Sequence, residues 1–356
     1  MPRRLRLLAM TEKRVNMRFF LGLFGGFFVL SLLWITIIWL QSGRHTTSSQ
    51  WVADVYEIKK EASKKASDGG RIVIVGGSSA LFGIDSKALE EHFGVSSING
   101  GVNAGLMLPY VLLKSREIVQ KGDIVLAPFE YSFYNYNGIA GAQMIDQIWA
   151  RDASFFWELG AKEKFYMLFM TEFRRIYDGF LAKGKEKIMI GPYGYANVDE
   201  GGNQIRTSKS DAVQWSSDME ATLKELPRRY GDSGVNKESL EWIKKYAAYL
   251  EEKGAKLIIL PPAMMEHEFY KSDEKERDFY NGLRDKMSKI GVKFLGNPYE
   301  FMYERDMMFN TDYHLTDEAR VVHTKKIRKL LESDGEFMGW VSAQKSKREI
   351  AALRSQ

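Results

Sequence analysis

The stretch Arg71-Ile72-Val73-Ile74-Val75-Gly76-Gly77-Ser78-Ser79 decides the fold. Its β-branched run is apolar at consecutive positions rather than alternate ones, the pattern of a short strand buried on both faces of a parallel sheet. The glycines behind it let the backbone turn sharply and approach another group closely. Downstream, Asp85 or Ser86 caps a helix running to Phe93. Val95–Ile98 reads as a second strand, Leu108–Gln120 as a helix with Gly122 behind it, and Asp123–Ala127 as a third strand. After a long interval the alternation resumes. Asn236–Lys253 places Leu240, Ile243, Ala247 and Leu250 on one helical face, with Gly254 in C-cap position. Lys256–Leu260 is a strand closed by Pro261-Pro262, Asp273–Ile290 a helix and Val292–Leu295 a strand. Thr316–Leu331 is a last helix, with Thr316 as N-cap and Asp317 and Glu318 in its first turn. The pattern predicts an α/β domain over 71–131 and 236–332: three layers, α/β/α, around a five-stranded parallel sheet.

Upstream of the strand, residues 41–70 form a polar connector, helical from Gln50 to Ser67, with Val52, Val55, Ile58 and Ala62 at helical spacing. Before it, Phe19–Leu40 carries no charge and, at about 1.5 Å per residue, extends about 33 Å, enough to cross a hydrocarbon core of about 30 Å. Residues 1–18 supply Arg3, Arg4, Arg6, Lys13, Arg14 and Arg18, whereas Gln41–Gln50 hold only Arg44. The positive-inside rule places the N-terminus in the cytoplasm and the main domain outside, as periplasmic or cell-surface material on a single-pass anchor. A cleaved signal peptide would have an apolar region of about 7–15 residues ending in a small-x-small site, which this run lacks.

Between the two halves of the domain, 132–235 is too long for a loop and must hold structure of its own, expected to be a mostly helical insertion. Phe155–Leu181 is helical and rich in aromatics and Met. Such stripes usually face a core, which is the expectation here; the alternative is contact with a membrane surface or a partner. Gly191–Ser208, rich in Gly and Tyr, reads as a hairpin or flap. Residues 333–356 are a basic tail with Lys345, Lys347, Arg348 and Arg354.

The 356 residues include no Cys, which excludes disulfides, thiolate metal sites and a Cys nucleophile. The formal charge of +5 sits largely at the two ends and reads as membrane topology, with no nucleic-acid motif elsewhere. In an open α/β sheet the site lies beyond the carboxyl ends of the strands. Gly76-Gly77-Ser78-Ser79 leaves the first strand there, Asn99-Gly100-Gly101-Val102-Asn103 the second, and Glu130 and Tyr131 follow the third. GGSSALFG is neither a P-loop nor GxGxxG. A serine on such a turn gains backbone N–H groups able to hold an oxyanion. His314, in Phe309-Asn310-Thr311-Asp312-Tyr313-His314, combines a loop before a helix with an adjacent acid and is the candidate base. His92 and His323 lie inside helices; His267, after the fourth strand, could line the site but lacks the HExxH spacing for zinc.

These segments, in this order, resemble the SGNH/GDSL hydrolase superfamily. GGSSALFGID, INGGVNAG, KGDIVLAPFEY and DYHLTDEA look more narrowly like its membrane-anchored members in cell-envelope polymer modification, such as alginate O-acetylation proteins and the teichoic-acid D-alanylation protein. The resemblance implies Ser78 as nucleophile, with its N–H and that of Gly101 as oxyanion donors, and His314 as general base; Ser79 is the second choice of nucleophile. The family's acid stands three residues before the His, where Thr311 lies; Asp312, two before, is assigned the role, and Asn310 is four before. The family's Gly-x-Asn-Asp block has no counterpart, its place being taken by Glu130 and Tyr131. Asn99, Asn103, Glu130, Tyr131, His267 and Asn310 are the expected lining. The implied activity is serine-dependent O-acyl transfer or ester hydrolysis on an extracytoplasmic polysaccharide or polymer, with no metal or organic cofactor and with a multi-pass membrane acyltransferase as donor partner. The alternatives are a degenerate site in a polymer-binding or scaffold subunit, and a lipid-directed esterase.

Overall fold

The computed structural model describes residues 3–66, 69–181, 187, 189–214 and 227–354. The chain opens with α1 (Arg3–Trp39), whose segment Met17–Trp39 is long and apolar enough to cross a membrane. After a short link comes α2 (Thr47–Lys65), capped by Thr46, whose hydroxyl accepts from Ser49 N. Strand β1 (Ile72–Ile74) leads into α3 (Ser78–Gly83) and α4 (Ser86–Phe93), then β2 (Ser97–Asn99), α5 (Met107–Ser115) and β3 (Ile124–Ala127). Next lie the helices Ala142–Arg151, Ala161–Phe169 and Phe173–Leu181, and a hairpin of β4 (Met189–Ile190) and β5 (Tyr193–Gly194). The domain resumes with the helix Lys237–Glu252, β6 (Lys256–Ile259), β7 (Met264–Met265), the helix Glu274–Lys289, β8 (Lys293–Phe294), β9 (Met302–Tyr303) and the helices Asp317–Glu332 and Gly335–Arg354.

The sheet has five strands in the order β2-β1-β3-β6-β8, all parallel. Its period-2 alternation divides the apolar interior. Ile72, Ile74, Ile124, Leu126, Ile258 and Leu260 point to a cluster closed by α4 and the last two helices. Val73, Val75, Val125, Ala127, Leu257 and Ile259 point to the larger cluster shared with α2, α5 and the helices Ala142–Arg151, Lys237–Glu252 and Glu274–Lys289. Both faces are therefore covered, which explains why the strands read as unbroken apolar runs. β7 and β9 form a separate parallel pair.

Three expectations need correction. The first glycine turn enters a helix at once: Ser78–Gly83 is too short for periodicity to reveal. The segment Phe155–Leu181 is broken, because Gly160 starts a new helix whose Glu163 bonds back to its N–H, and Thr171 bonds to Met167 O at the next break. The C-terminal segment is a packed helix rather than a tail: Phe337 and Val341 are buried, and the Trp340 indole N–H donates to Gly122 O.

At the foot of the sheet Arg71 and Asp123 are fully buried and paired at 2.8 Å. Every branch of the guanidinium is engaged, since Ser63 O and Ile118 O also accept from it, each at 2.7 Å. This ties α2 and the α5–β3 link to the start of β1. Removing one partner of such a pair leaves an uncompensated buried charge, so Asp123→Ala should lower stability by about 3–5 kcal/mol, read from guanidinium unfolding in detergent.

Candidate active site

The strand order reverses direction between β1 and β3, and the crevice at such a switch point is where an open parallel sheet presents its chemistry. The segments leaving these two strands meet there. Glu130, 1% exposed, accepts from Gly77 N (3.0 Å) with one carboxylate oxygen and from Ser79 N (2.7 Å) with the other. Burial pushes its carboxyl up to about 7 against the opposing pull of those N–H groups, and the nearby Asp312 adds to the rise. Close approach is what the glycines supply. A Cβ on Gly77 would stand 2.5 Å from Glu130 Oε1 and 2.6 Å from Ala104 N, and one on Gly101 would stand 2.7 Å from Leu81 N.

Ser78 begins α3 and is half-buried. As a first-turn residue its N–H has no acceptor within the helix. Ser79 is committed elsewhere, its hydroxyl donating to Ala263 O at 3.1 Å. Of the two serines, Ser78 is the half-buried one and Ser79 the buried one. Phe82 lies one turn along α3 on the same face, and helical side chains lean toward the N-terminus. The His314 imidazole stacks flat on the Phe82 ring, with centroids 4.0 Å apart and planes 5° apart. The imidazole is thus seated on α3 through Phe82, four residues beyond Ser78.

His314 reaches this place through a tight reversal: Met308 bridges Leu315, and Phe309 N donates to His314 O at 2.7 Å. The fold back brings Asn310 Oδ1 to 2.6 Å from His314 Nδ1, and Asn310 Nδ2 donates to Tyr193 Oη at 2.9 Å. An amide oxygen at Nδ1 requires the proton there, which leaves the lone pair on Nε2. Burial lowers the His314 pKa to about 3, so the ring is neutral at ordinary pH.

The assignment of Asp312 as the group orienting His314 is corrected here. Asp312 lies within the reversal, and both its carboxylate oxygens are taken by the Arg228 guanidinium, through Nε and Nη2, the latter at 3.0 Å, while His314 Nδ1 pairs with Asn310. The pairing holds Arg228 well above its ordinary range despite burial. Gly101 is corrected as an oxyanion donor, because its N–H donates to Asn99 Oδ1 at 3.0 Å. Asn99 is a latch: its Nδ2 donates to Ala80 O and Ile84 O, fixing α3 to the end of β2. Tyr131 is no lining residue, being packed in the core against Tyr280 at 4.8 Å. His267 is exposed and accepts from Phe269 N within its own turn. Asn103 remains at the rim, half-buried, with its Nδ2 donating to Gln143 Oε1. Sequence reasoning missed Phe82, Tyr193 and Arg228. Phe82 lay in an unrecognised helix, and the other two come from the irregular middle segment. Among the described residues no group of three or more His, Asp and Glu is placed to hold a metal ion.

The buried imidazole makes stability depend on pH. The folded pKa of His314 lies below the unfolded value of about 6.5, so its contribution is complete above pH 6.5 and is lost as pH falls toward about 3, the unfolded chain taking up the proton that the folded ring refuses. Buried His323, also lowered to about 3, adds a parallel term. His314→Asn should remove about 2 kcal/mol of the loss seen between pH 7 and pH 5, measured as the difference in denaturant midpoints at the two pH values.

No known family model matches the chain, and no curated protein matches it.

Proposed function

We propose that this protein is a membrane-anchored, serine-dependent O-acyltransferase or acylesterase of SGNH type, acting outside the cytoplasm on an envelope polysaccharide or polymer. One observation carries the reading: a neutral imidazole, its tautomer set by Asn310, stacks on Phe82, one turn along α3 from Ser78. In the proposed reaction Ser78 Oγ attacks the carbonyl carbon of an acyl ester while His314 Nε2 takes the hydroxyl proton. The oxyanion would be met by the Ser78 N–H and by donors at the Asn103–Ala104 rim, whose backbone lies against Gly77. Collapse expels the donor alcohol, which takes the proton from His314, and leaves an ester on Ser78. A sugar hydroxyl or water then attacks that ester, giving its proton to His314, and Ser78 leaves with the proton returned. The acyl donor partner is proposed to be a multi-pass membrane acyltransferase, by resemblance alone.

The Ser-His-Asn arrangement differs from the expected Ser-His-Asp. An amide oxygen fixes the tautomer but stabilises the imidazolium less than a carboxylate, so Asn310→Asp should preserve or raise the rate of Ser78 acylation. Asn310→Ala should lower it by about 10²–10⁴-fold. Ser78→Ala should abolish both the acyl-enzyme, followed by mass spectrometry after p-nitrophenyl acetate, and polymer acylation in cells. A second reading, a scaffold with a degenerate site, draws on the missing carboxylate beside His314 and the occupied Gly101 N–H. It predicts the opposite: unchanged acylation in a Ser78→Ala strain with normal protein levels, which would sink the catalytic proposal.

A further inference from the structure

The helix Phe173–Leu181 buries an arginine and exposes three aromatic rings. Its inner face holds Arg175, 7% exposed in its side chain and paired with Asp146 at 3.2 Å, with a further bond from its guanidinium to Arg44 O at 2.8 Å. Gly179 packs on the same side, against Gln41 and Arg44. The outer face presents Phe173, 79% exposed, and Tyr177, 65% exposed, together with Phe180. The preceding helix Ala161–Phe169 adds exposed Phe165 and Phe169, and Trp157 precedes it. Soluble helices turn their apolar stripe to the core and their charges outward. Here Arg175 is inside, beside Ile176, while the rings of Phe173, Tyr177 and Phe180 are outside, next to the solvent-facing pair Arg174–Asp178.

The partner of that surface follows from its attachment to α1. The Trp34 indole N–H donates to Leu168 O at 2.7 Å, and the Trp34 ring meets the Phe173 ring edge-on at 5.1 Å. Trp39 meets Trp149, Phe156 and Trp157 in the same manner. Crossing a bilayer takes about 20 apolar residues, and the run Met17–Trp39 offers 23. That leaves about three residues to spare, and Trp34 precedes the end of the run by five, so Trp34 lies below the membrane surface, and the groups that touch it share its depth. Trp34 precedes Trp39 by about 7.5 Å along the axis, within the about 5–10 Å to which interfacial helices sink their apolar faces.

We infer that Trp157, Phe165, Phe169, Phe173, Tyr177 and Phe180 form a platform that dips into the headgroup and upper acyl region of the bilayer that α1 crosses. The inference rests on the anchored reading of α1. It gives the domain a second membrane attachment and fixes its tilt, which a single helix cannot do.

The chain has no Cys, so single-Cys variants can be labelled at chosen sites. Full-length Phe173→Cys, Tyr177→Cys, Leu23→Cys and Ala343→Cys proteins, each carrying an environment-sensitive fluorophore, would be reconstituted into phosphatidylcholine vesicles with and without phosphatidylglycerol. Lipids bearing a nitroxide near the top of the acyl chain serve as quenchers. The expected result is blue-shifted, quenched emission at 173 and 177, quenching at 23, and water-like, unquenched emission at 343. Quenching at 23 with 173 and 177 behaving like 343 would overturn the platform while leaving the anchor standing. Absence of quenching at 23 as well would remove the anchored reading and the platform with it. Labels at 173 and 177 that are shielded from water yet untouched by lipid quenchers would mean that a protein surface covers the face, which also overturns the inference.

Discussion

One buried carboxylate holds the crevice together. Glu130 leaves the end of β3 and takes the backbone N–H groups of Gly77 and Ser79, which leave the end of β1. These two strands lie side by side where the sheet reverses its order, so their outgoing loops diverge unless something joins them. A side-chain amide could accept only one of the two N–H bonds without presenting its own N–H to the other. The need for two acceptors explains why a carboxylate stands here, although burial raises its proton affinity. With both N–H groups occupied, the turn is fixed on either side of Ser78. The clamp's two bonds use neither the hydroxyl nor the N–H of that serine. The same contact demands glycine at 77, where any Cβ would meet the carboxylate.

From that clamp the remaining geometry follows in sequence. Asn99 latches α3 to the end of β2, and Gly101 lets the two backbones touch. α3 then presents Phe82 as a flat seat for His314. The flap residue Tyr193 braces the amide that sets the histidine tautomer, and its ring meets the imidazole edge-on at 5.9 Å. Desolvation keeps the ring neutral, which suits a base but makes the imidazolium expensive unless substrate or a polar rim group helps to offset it.

Much of the scaffold was legible because a parallel sheet writes itself into sequence. RIVIV, DIVLA and KLIIL are apolar at consecutive positions since both faces of each strand are buried, and the capping residues Asp85, Asp273 and Thr316 mark helix starts by local hydrogen bonding. The segments carrying Ser78 and His314 were legible for the same reason, as polar residues placed just past strand ends or before a helix cap. The partner of His314 was not. Asn310 and Asp312 are two residues apart, and only the tertiary reversal between Met308 and Leu315 decides which side chain folds back. Arg228 is 84 positions from the carboxylate that it neutralises, in a segment without periodicity, so nothing local announces it. The aromatic helix shows the converse limit. The expected core-facing stripe holds for Phe155, Phe156, Met167 and Ile176 and fails for Phe165, Phe169, Phe173 and Tyr177, because composition has no sign and burial of Arg175 decides which side of the last helix meets the protein.

The route from α1 to Ser78 has no slack. The link between α1 and α2 is pinned at Gly43 N to Trp149 O, at Arg44 O to Arg175, and at Thr46 to Asp146. α2 packs along its length on the larger core cluster and is tied at its far end, through Ser63, to the Arg71 guanidinium at the foot of β1. β1 runs directly into the Ser78 turn. A stiff chain of this kind holds the Ser78 hydroxyl at a set height above the end of α1, so in the proposed reaction a substrate is brought to that height rather than reached for. Flexible tethers suit enzymes that search for soluble substrates. A rigid mount suits one whose acyl donor and acceptor are themselves delivered at the membrane, which is what the proposed polymer-acylation role requires.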